Sequence, residues 1–182
     1  MIGGSWNYRP ETERSRVHIV NTKFRRLDEV TLADIYDEIG VYVIWNAHSE
    51  FRPSYIGEGE VLKRFACHLG TSWARRPLGG LIWLNDSGHT RKEQKWECEL
   101  VECALLALGD YVDRGAIHNQ SRGKAASLSH LLHRFGERTV RVNVTGYDPL
   151  FPPERPRLSK MKTFKVLEDG KLDQDDWRSR SI

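Results

Sequence analysis

The chain has 182 residues, 39% of them hydrophobic and 29% charged, with a net charge of +3. That is enough apolar material for one buried core, too polar for a membrane protein, and not a polycation. No apolar run approaches the roughly 20 residues that a membrane helix needs, and the start Met1-Ile2-Gly3-Gly4-Ser5-Trp6 lacks the charged and apolar stretches of a signal peptide, so a cytoplasmic protein is expected.

In chain order, residues 1–16 read as a loose polar arm, and Val17-His18-Ile19-Val20 as a short strand. Thr31 caps a helix, with Asp34 in its first turn and a stop near Gly40. The β-branched and aromatic run Gly40-Val41-Tyr42-Val43-Ile44-Trp45 predicts a strand. After a loop from Asn46 to Pro53, Ser54-Tyr55-Ile56-Gly57 predicts its antiparallel partner. Leu62, Phe65, Ala66 and Leu69 recur at helical spacing before Gly70. Leu81-Ile82-Trp83-Leu84 gives a third strand, and Lys92 to Leu108 the main buried helix. The first half of that helix is ambiguous, because Trp96, Cys98 and Leu100 alternate with Glu97 and Glu99 as a strand would. Ala125 to Phe135 is amphipathic, and Arg138 to Val144 alternates like a half-exposed strand. Beyond Tyr147 come Pro149, Pro152, Pro153 and Pro156 and then a charged tail, which reads as an extension or flexible end.

Two further patterns bear on chemistry. Cys67, Cys98 and Cys103 are odd in number and contain no Cys-x-x-Cys pair, which argues against a disulfide framework or a structural zinc site and for reduced thiols. Arg114, Arg122, Lys124, His130, His133, Arg134, Arg138 and Arg141 crowd one region, which is either a phosphate-facing surface or an ordinary solvated one.

Gly40-Val41-Tyr42 followed by Tyr55-Ile56-Gly57 resembles the two-strand signature of the GIY-YIG endonucleases. The following helix carries Arg64 and His68 where that family places an arginine and often a histidine or tyrosine. Glu102-Cys103-Ala104-Leu105-Leu106 is similar to the family's later glutamate, and Asn119 is the candidate for its closing asparagine, though at a longer interval than the family's. The resemblance covers roughly residues 38 to 120. It implies an α+β fold, a small three-stranded antiparallel sheet flanked by helices, with an added basic helix and strand and a C-terminal extension. The expected division is an N-terminal arm at 1–30, a nuclease core at 31–120, a basic extension at 121–150 and a tail at 151–182.

The residues support a reading beside the resemblance. Tyr42 and Tyr55 can share one face of a hairpin if the register sets them opposite, either as catalytic phenols or as packing aromatics. Arg64 and His68, four apart, line one helical stripe away from Leu62, Phe65 and Leu69, so they face solvent or a site beside the hairpin. Glu102 lies in an apolar run, where a carboxylate needs a cation or basic partner; Glu97 and Glu99 are its rivals. Gly57 and Gly59 at the helix entry allow close approach of a phosphate, or serve the turn.

The expected activity is metal-dependent hydrolysis of DNA phosphodiester bonds, of a restriction or mobile-element kind. The assigned roles are Glu102 for Mg²⁺, Tyr42 to orient or deprotonate water, with Arg64, Lys63 and His68 favouring its phenolate, Tyr55 and Arg64 for the phosphate, and Asn119 to position backbone or bound water. His68 stays open as an alternative base. Gly57, Lys63, Arg114, Arg122, Lys124 and Arg134 are the expected phosphate contacts. The partner expected is double-stranded DNA, and a palindromic target would be matched by a homodimer. The alternatives are a binding module of the same fold without cleavage, and a nuclease acting on RNA or branched DNA.

Overall fold

The computed structural model describes residues 16–46, 52–69, 77–112, 119, 124–150 and 162–173. The described elements run β1 (Val17–Arg26), α1 (Leu32–Ile35), β2 (Ile39–Asn46), β3 (Tyr55–Glu60), α2 (Val61–Leu69), β4 (Pro77–Leu84), α3 (Arg91–Tyr111), α4 (Lys124–Phe135), β5 (Thr139–Gly146) and β6 (Lys162–Leu167), with a short 3-10 turn at Leu27–Glu29. The six strands form one mixed sheet in the order β3-β2-β4-β1-β5-β6.

The α+β class holds, but the expected three-stranded sheet does not. Strands β3, β2 and β4 are mutually antiparallel as expected, and three more strands extend the sheet beyond β4. Val17 to Phe24 of β1 pair in parallel with β5, whereas Arg25 and Arg26 pair antiparallel with β4, so one strand joins the two halves. The expected N-terminal arm thus contributes an interior strand, and the expected tail contributes β6, paired antiparallel with β5. Alternation in the sequence marks a strand but not its neighbours; this pairing depends on a parallel crossover that brings residue 17 against residue 139.

Both faces of β2 are covered, which is why it reads as an unbroken apolar run. Val41, Val43 and Trp45 join Ile56, Leu81 and Trp83 against Leu100, Leu105, Leu128 and Leu132 of α3 and α4. On the opposite face Ile82 packs with Ile35 and Val61, bordered by Leu27, Phe65 and Leu84. Gly40 sits where β2 meets β4 so closely that a Cβ there would lie 2.3 Å from the Trp83 carbonyl oxygen. The missing side chain is a packing requirement at this position.

Helix α3 begins with a reciprocal cap: the Thr90 hydroxyl accepts from the Glu93 amide, and the Glu93 carboxylate accepts from the Thr90 amide. The helix is continuous through the ambiguous half, because Glu97 finds partners inside. It is 4% exposed. Its carboxylate accepts from Asn85 Nδ2 at 3.0 Å, and His18 Nε2 and His89 Nδ1 stand 3.4 and 3.2 Å away. Burial pushes this carboxyl up, but His18, Asn85 and His89 together outweigh it and hold it below the usual range. The associated stability is present above the ordinary carboxylate pKa and is lost as pH falls through the lower folded value.

Gly40→Ala will destabilise the fold by about 1–3 kcal/mol, the usual cost of overpacking. Urea unfolding monitored by circular dichroism measures it, and an unchanged midpoint would show that β2 and β4 can part without loss.

Candidate functional site

Strand β3 is the outer edge of the sheet, and residues from both faces converge on it. The register pairs Tyr42 with Gly57 and Ile44 with Tyr55, so the two tyrosines are diagonal neighbours on one face rather than directly opposite. Their rings stack with centroids 6.1 Å apart. Both lie over Gly57: a Cβ there would stand 2.5 Å from Tyr55 Cε1 and 2.6 Å from the Tyr42 hydroxyl. The bare backbone of residue 57 is the floor of the site.

Helix α2 covers the same face. Phe65 packs on Tyr42 at 5.0 Å between ring centroids. His68 comes within 4.7 Å of the Tyr55 ring, and its Nε2 is 2.8 Å from the Tyr42 hydroxyl. Burial, with help from the Arg64 charge, lowers the imidazole below its ordinary value of 6.5. His68 is therefore neutral at pH 7, and in its Nδ1–H tautomer Nε2 accepts from the Tyr42 O–H. Arg64 is exposed and lies across Gly59, whose φ of 123° suits glycine.

Tyr42 is 1% exposed. Burial first, then Tyr55 and the charges of Glu102 and Glu58, push its hydroxyl well above the ordinary 10.0, against the pull of Arg64. Arg64 does favour the phenolate, as expected, but not by enough to ionise the resting group. Desolvation outweighs the nearby guanidinium, and the resting group is a phenol bonded to a neutral imidazole.

Helix α3 supplies the other wall. Lys92, Lys95, Glu99 and Glu102 recur at helical spacing along one stripe. Glu102 is 4% exposed. Glu58 of β3, between the two glycines, is the residue that sequence reasoning missed. Its Oε2 is buried and has no hydrogen-bond partner. Burial, then the Glu102 and Glu99 charges, raise this carboxyl, while Arg64 and Lys95 oppose the shift. The available signal was the Gly-Glu-Gly sequence at 57–59, a charged side chain held between two bare positions at a helix entry.

The three rival glutamates separate. Glu97 is engaged with His18, His89 and Asn85. Glu99 and Glu102 both act on Glu58. Among the described residues no cluster of three or more His, Cys, Asp and Glu forms a ready-made metal cage. The orphaned oxygen of Glu58, beside Glu102, has the chemistry to take a hydrated divalent cation, which would relieve the repulsion of the two carboxylates.

Asn119 has a definite function in the edge. Its Oδ1 accepts from the Ile56 amide at 2.8 Å, and its Nδ2 donates to the Ile56 carbonyl at 2.6 Å. The side-chain amide thus pairs with the outward edge of β3 as another strand would, and fixes the backbone between Tyr55 and Gly57.

The expected phosphate contacts divide. Gly57 floors the site, and Lys63 lies on α2, bonded to Glu60 at 3.1 Å. Arg134 packs over the Trp96 ring at 4.8 Å and contacts His130, fastening α4 to α3. Arg114, Arg122 and the Lys124 side chain lie outside the described residues.

Comparison with protein-family models, with curated proteins and with solved structures gave no match.

Histidine NMR will give His68 a titration midpoint below 6.5. Arg64→Gln will move it upward by removing a repelling charge; an unmoved midpoint would sever the electrostatic link between α2's two polar residues.

Proposed function

We propose that this chain is a divalent-cation-dependent endonuclease of the GIY-YIG type, hydrolysing phosphodiester bonds in DNA. The observation that carries this reading is the convergence of Tyr42, Tyr55, Arg64 and His68 on the Gly57–Gly59 backbone, with Glu58 of the same strand beside Glu102 of α3 on its other face. Hydrolysis of a phosphodiester needs an oriented water, relief of charge on a five-coordinate phosphorus, and help for the departing oxygen. These residue types supply the first two directly.

Arg64 is exposed, forms no ion pair with a described carboxylate, and has the forked donors that suit two phosphate oxygens. Held over Gly59, it meets a phosphate that can approach the backbone closely. Tyr55, half-buried at the rim, donates a hydrogen bond to that phosphate. Tyr42 holds the nucleophilic water with its oxygen lone pairs while its own proton is committed to His68. As the water loses a proton to Tyr42, the Tyr42 proton passes to His68 Nε2, so the phenol never has to exist as a free phenolate. Glu102 and Glu58 would hold Mg²⁺, which supplies Lewis-acid stabilisation of the departing oxygen. Asn119 keeps the strand beneath them in register.

Supercoiled plasmid DNA will be nicked with Mg²⁺ and spared with chelator. Tyr42→Phe, Arg64→Ala and Glu102→Ala will each lower the rate at least about 100-fold, in the range of general-base and charge-stabilising groups. Binding without nicking in the wild type would favour the non-catalytic module, and preferential cutting of RNA or branched DNA would redirect the substrate but not the chemistry.

The rate will fall on the acid side along a limb whose midpoint lies below the ordinary histidine value, as His68 takes up a proton, because only neutral imidazole can accept from Tyr42. His68→Gln should abolish that acid limb; its persistence would remove His68 from the proton path. Glu58→Gln will raise the Mg²⁺ concentration for half-maximal rate by about tenfold or more, and an unchanged Mg²⁺ requirement would leave Glu58 without a part in holding the ion.

A further inference from the structure

Beyond Gly59, α2 and the first turns of α3 enclose an open cleft of about 510 Å³. Its polar lining is Glu60, Lys63, Arg64, Arg91, Lys92 and Lys95, five cations against one carboxylate. Two of the cations are occupied. Lys63 bonds Glu60 at 3.1 Å, and Arg91 forks onto the Asp37 carboxylate and carbonyl at 2.8 to 3.2 Å, with Glu60 3.8 Å away. Asp37 itself has a φ of 58°, so Arg91 braces a strained turn. No described carboxylate lies within ion-pair distance of Arg64, Lys92 or Lys95. These three point an unbalanced positive field into a cleft that opens onto the site through Arg64 and Gly59.

The stripe along α3 is sorted by charge. Glu102 and Glu99 lie beside Glu58, and Lys95 and Lys92 follow toward the N-terminus. At 1.5 Å per residue, Lys95 and Lys92 stand about 10 and 15 Å along the axis from Glu102. That span equals about three to four base-pair steps of a duplex at 3.4 Å each. Lys92 also rests over the Trp96 ring, 4.9 Å from its centroid, which limits its wandering without neutralising it.

We infer that this cleft binds the phosphodiester backbone of the nucleic-acid strand that runs through the site, with Lys92 and Lys95 touching phosphates that flank the scissile one. This rests on the nuclease reading for its substrate class. It differs from the expectation that the basic segment 114–141 makes those contacts, because it puts them on α3. The residues touch phosphate rather than base, so they add affinity and register without sequence preference.

The test is binding of a fluorescein-labelled DNA duplex by the full chain in chelator, read by anisotropy between about 50 and 200 mM salt. Lys92→Gln with Lys95→Gln will weaken binding about tenfold. The same pair will reduce the slope of log affinity against log salt by about 2, near 0.9 for each phosphate no longer neutralised. Lys171→Gln, an exposed lysine on the far edge paired with Asp169, is the control and will change neither. Unchanged affinity and slope in the double variant, or an equal loss in the control, would overturn the cleft. Equal-length RNA and single-stranded DNA titrated alongside identify which backbone the cleft prefers. Because binding is read without metal or cleavage, the two readings fail separately. A wild type that never cuts, but whose salt slope depends on the two lysines, removes the chemistry and keeps the cleft. A wild type that cuts, with a salt slope indifferent to them, does the reverse.

Discussion

The candidate site depends on a sheet edge that carries no side chain at residue 57. Tyr42 and Tyr55 come from different strands and can overlie the same point only because Gly57 has no Cβ to occupy it. An alanine would put a methyl group inside both rings. Gly59, one pleat further on beneath Arg64, is required for a different reason, its φ of 123°. An edge left this bare is a template for unwanted strand pairing. Asn119 answers at Ile56 by filling the donor and acceptor that a neighbouring strand would take.

Burial of charge distinguishes the structural carboxylate from the others on and beside α3. Glu97 is deep, but a side-chain amide and two imidazoles surround it, and the net effect favours its ionised form. Glu58 is held in the opposite sense: neighbouring acids and loss of water act together against its charge, and one oxygen has no hydrogen-bond partner. A group kept in that condition lacks the compensation that would make it purely structural. The same principle governs the tyrosine. A phenol removed from water does not ionise because an arginine is near; it keeps its proton and needs an acceptor, which His68 Nε2, 2.8 Å away, is when the imidazole carries its proton on Nδ1.

The remainder of the fold fixes these groups in place. Strands β1, β5 and β6 extend the sheet on the side away from β3, and α4 packs over them and against α3 through Leu128, Leu132 and the Trp96–Arg134 contact. Helix α3 is thereby anchored along its length: Thr90 and Glu93 at its start, Glu97 against β1 and the loop before it, and an apolar stripe from Leu100 to Leu108. A helix so constrained presents Lys92, Lys95, Glu99 and Glu102 to the open edge in a fixed order.

The sequence by itself determined the local elements near the site and the residue types on them. The β-branched and aromatic run gave β2, the strand-like segment after the Asn46–Pro53 loop gave β3, the i, i+3, i+4 pattern gave α2, and Thr31 caps a helix as its side chain requires. It also carried Tyr42, Tyr55, Arg64, His68 and Glu102 as candidates, because a motif is a matter of spacing along one chain. Tertiary structure alone decided the rest. The six-stranded order depends on a parallel pairing between residues 17–24 and 139–146, which no local periodicity encodes. The diagonal register of the tyrosines, the protonated state of Tyr42, the partners of Glu97 and the isolation of Glu58 all follow from which surfaces lose water when distant segments meet. Desolvation and charge proximity belong to the packed molecule, so they could be read only once the packing was known.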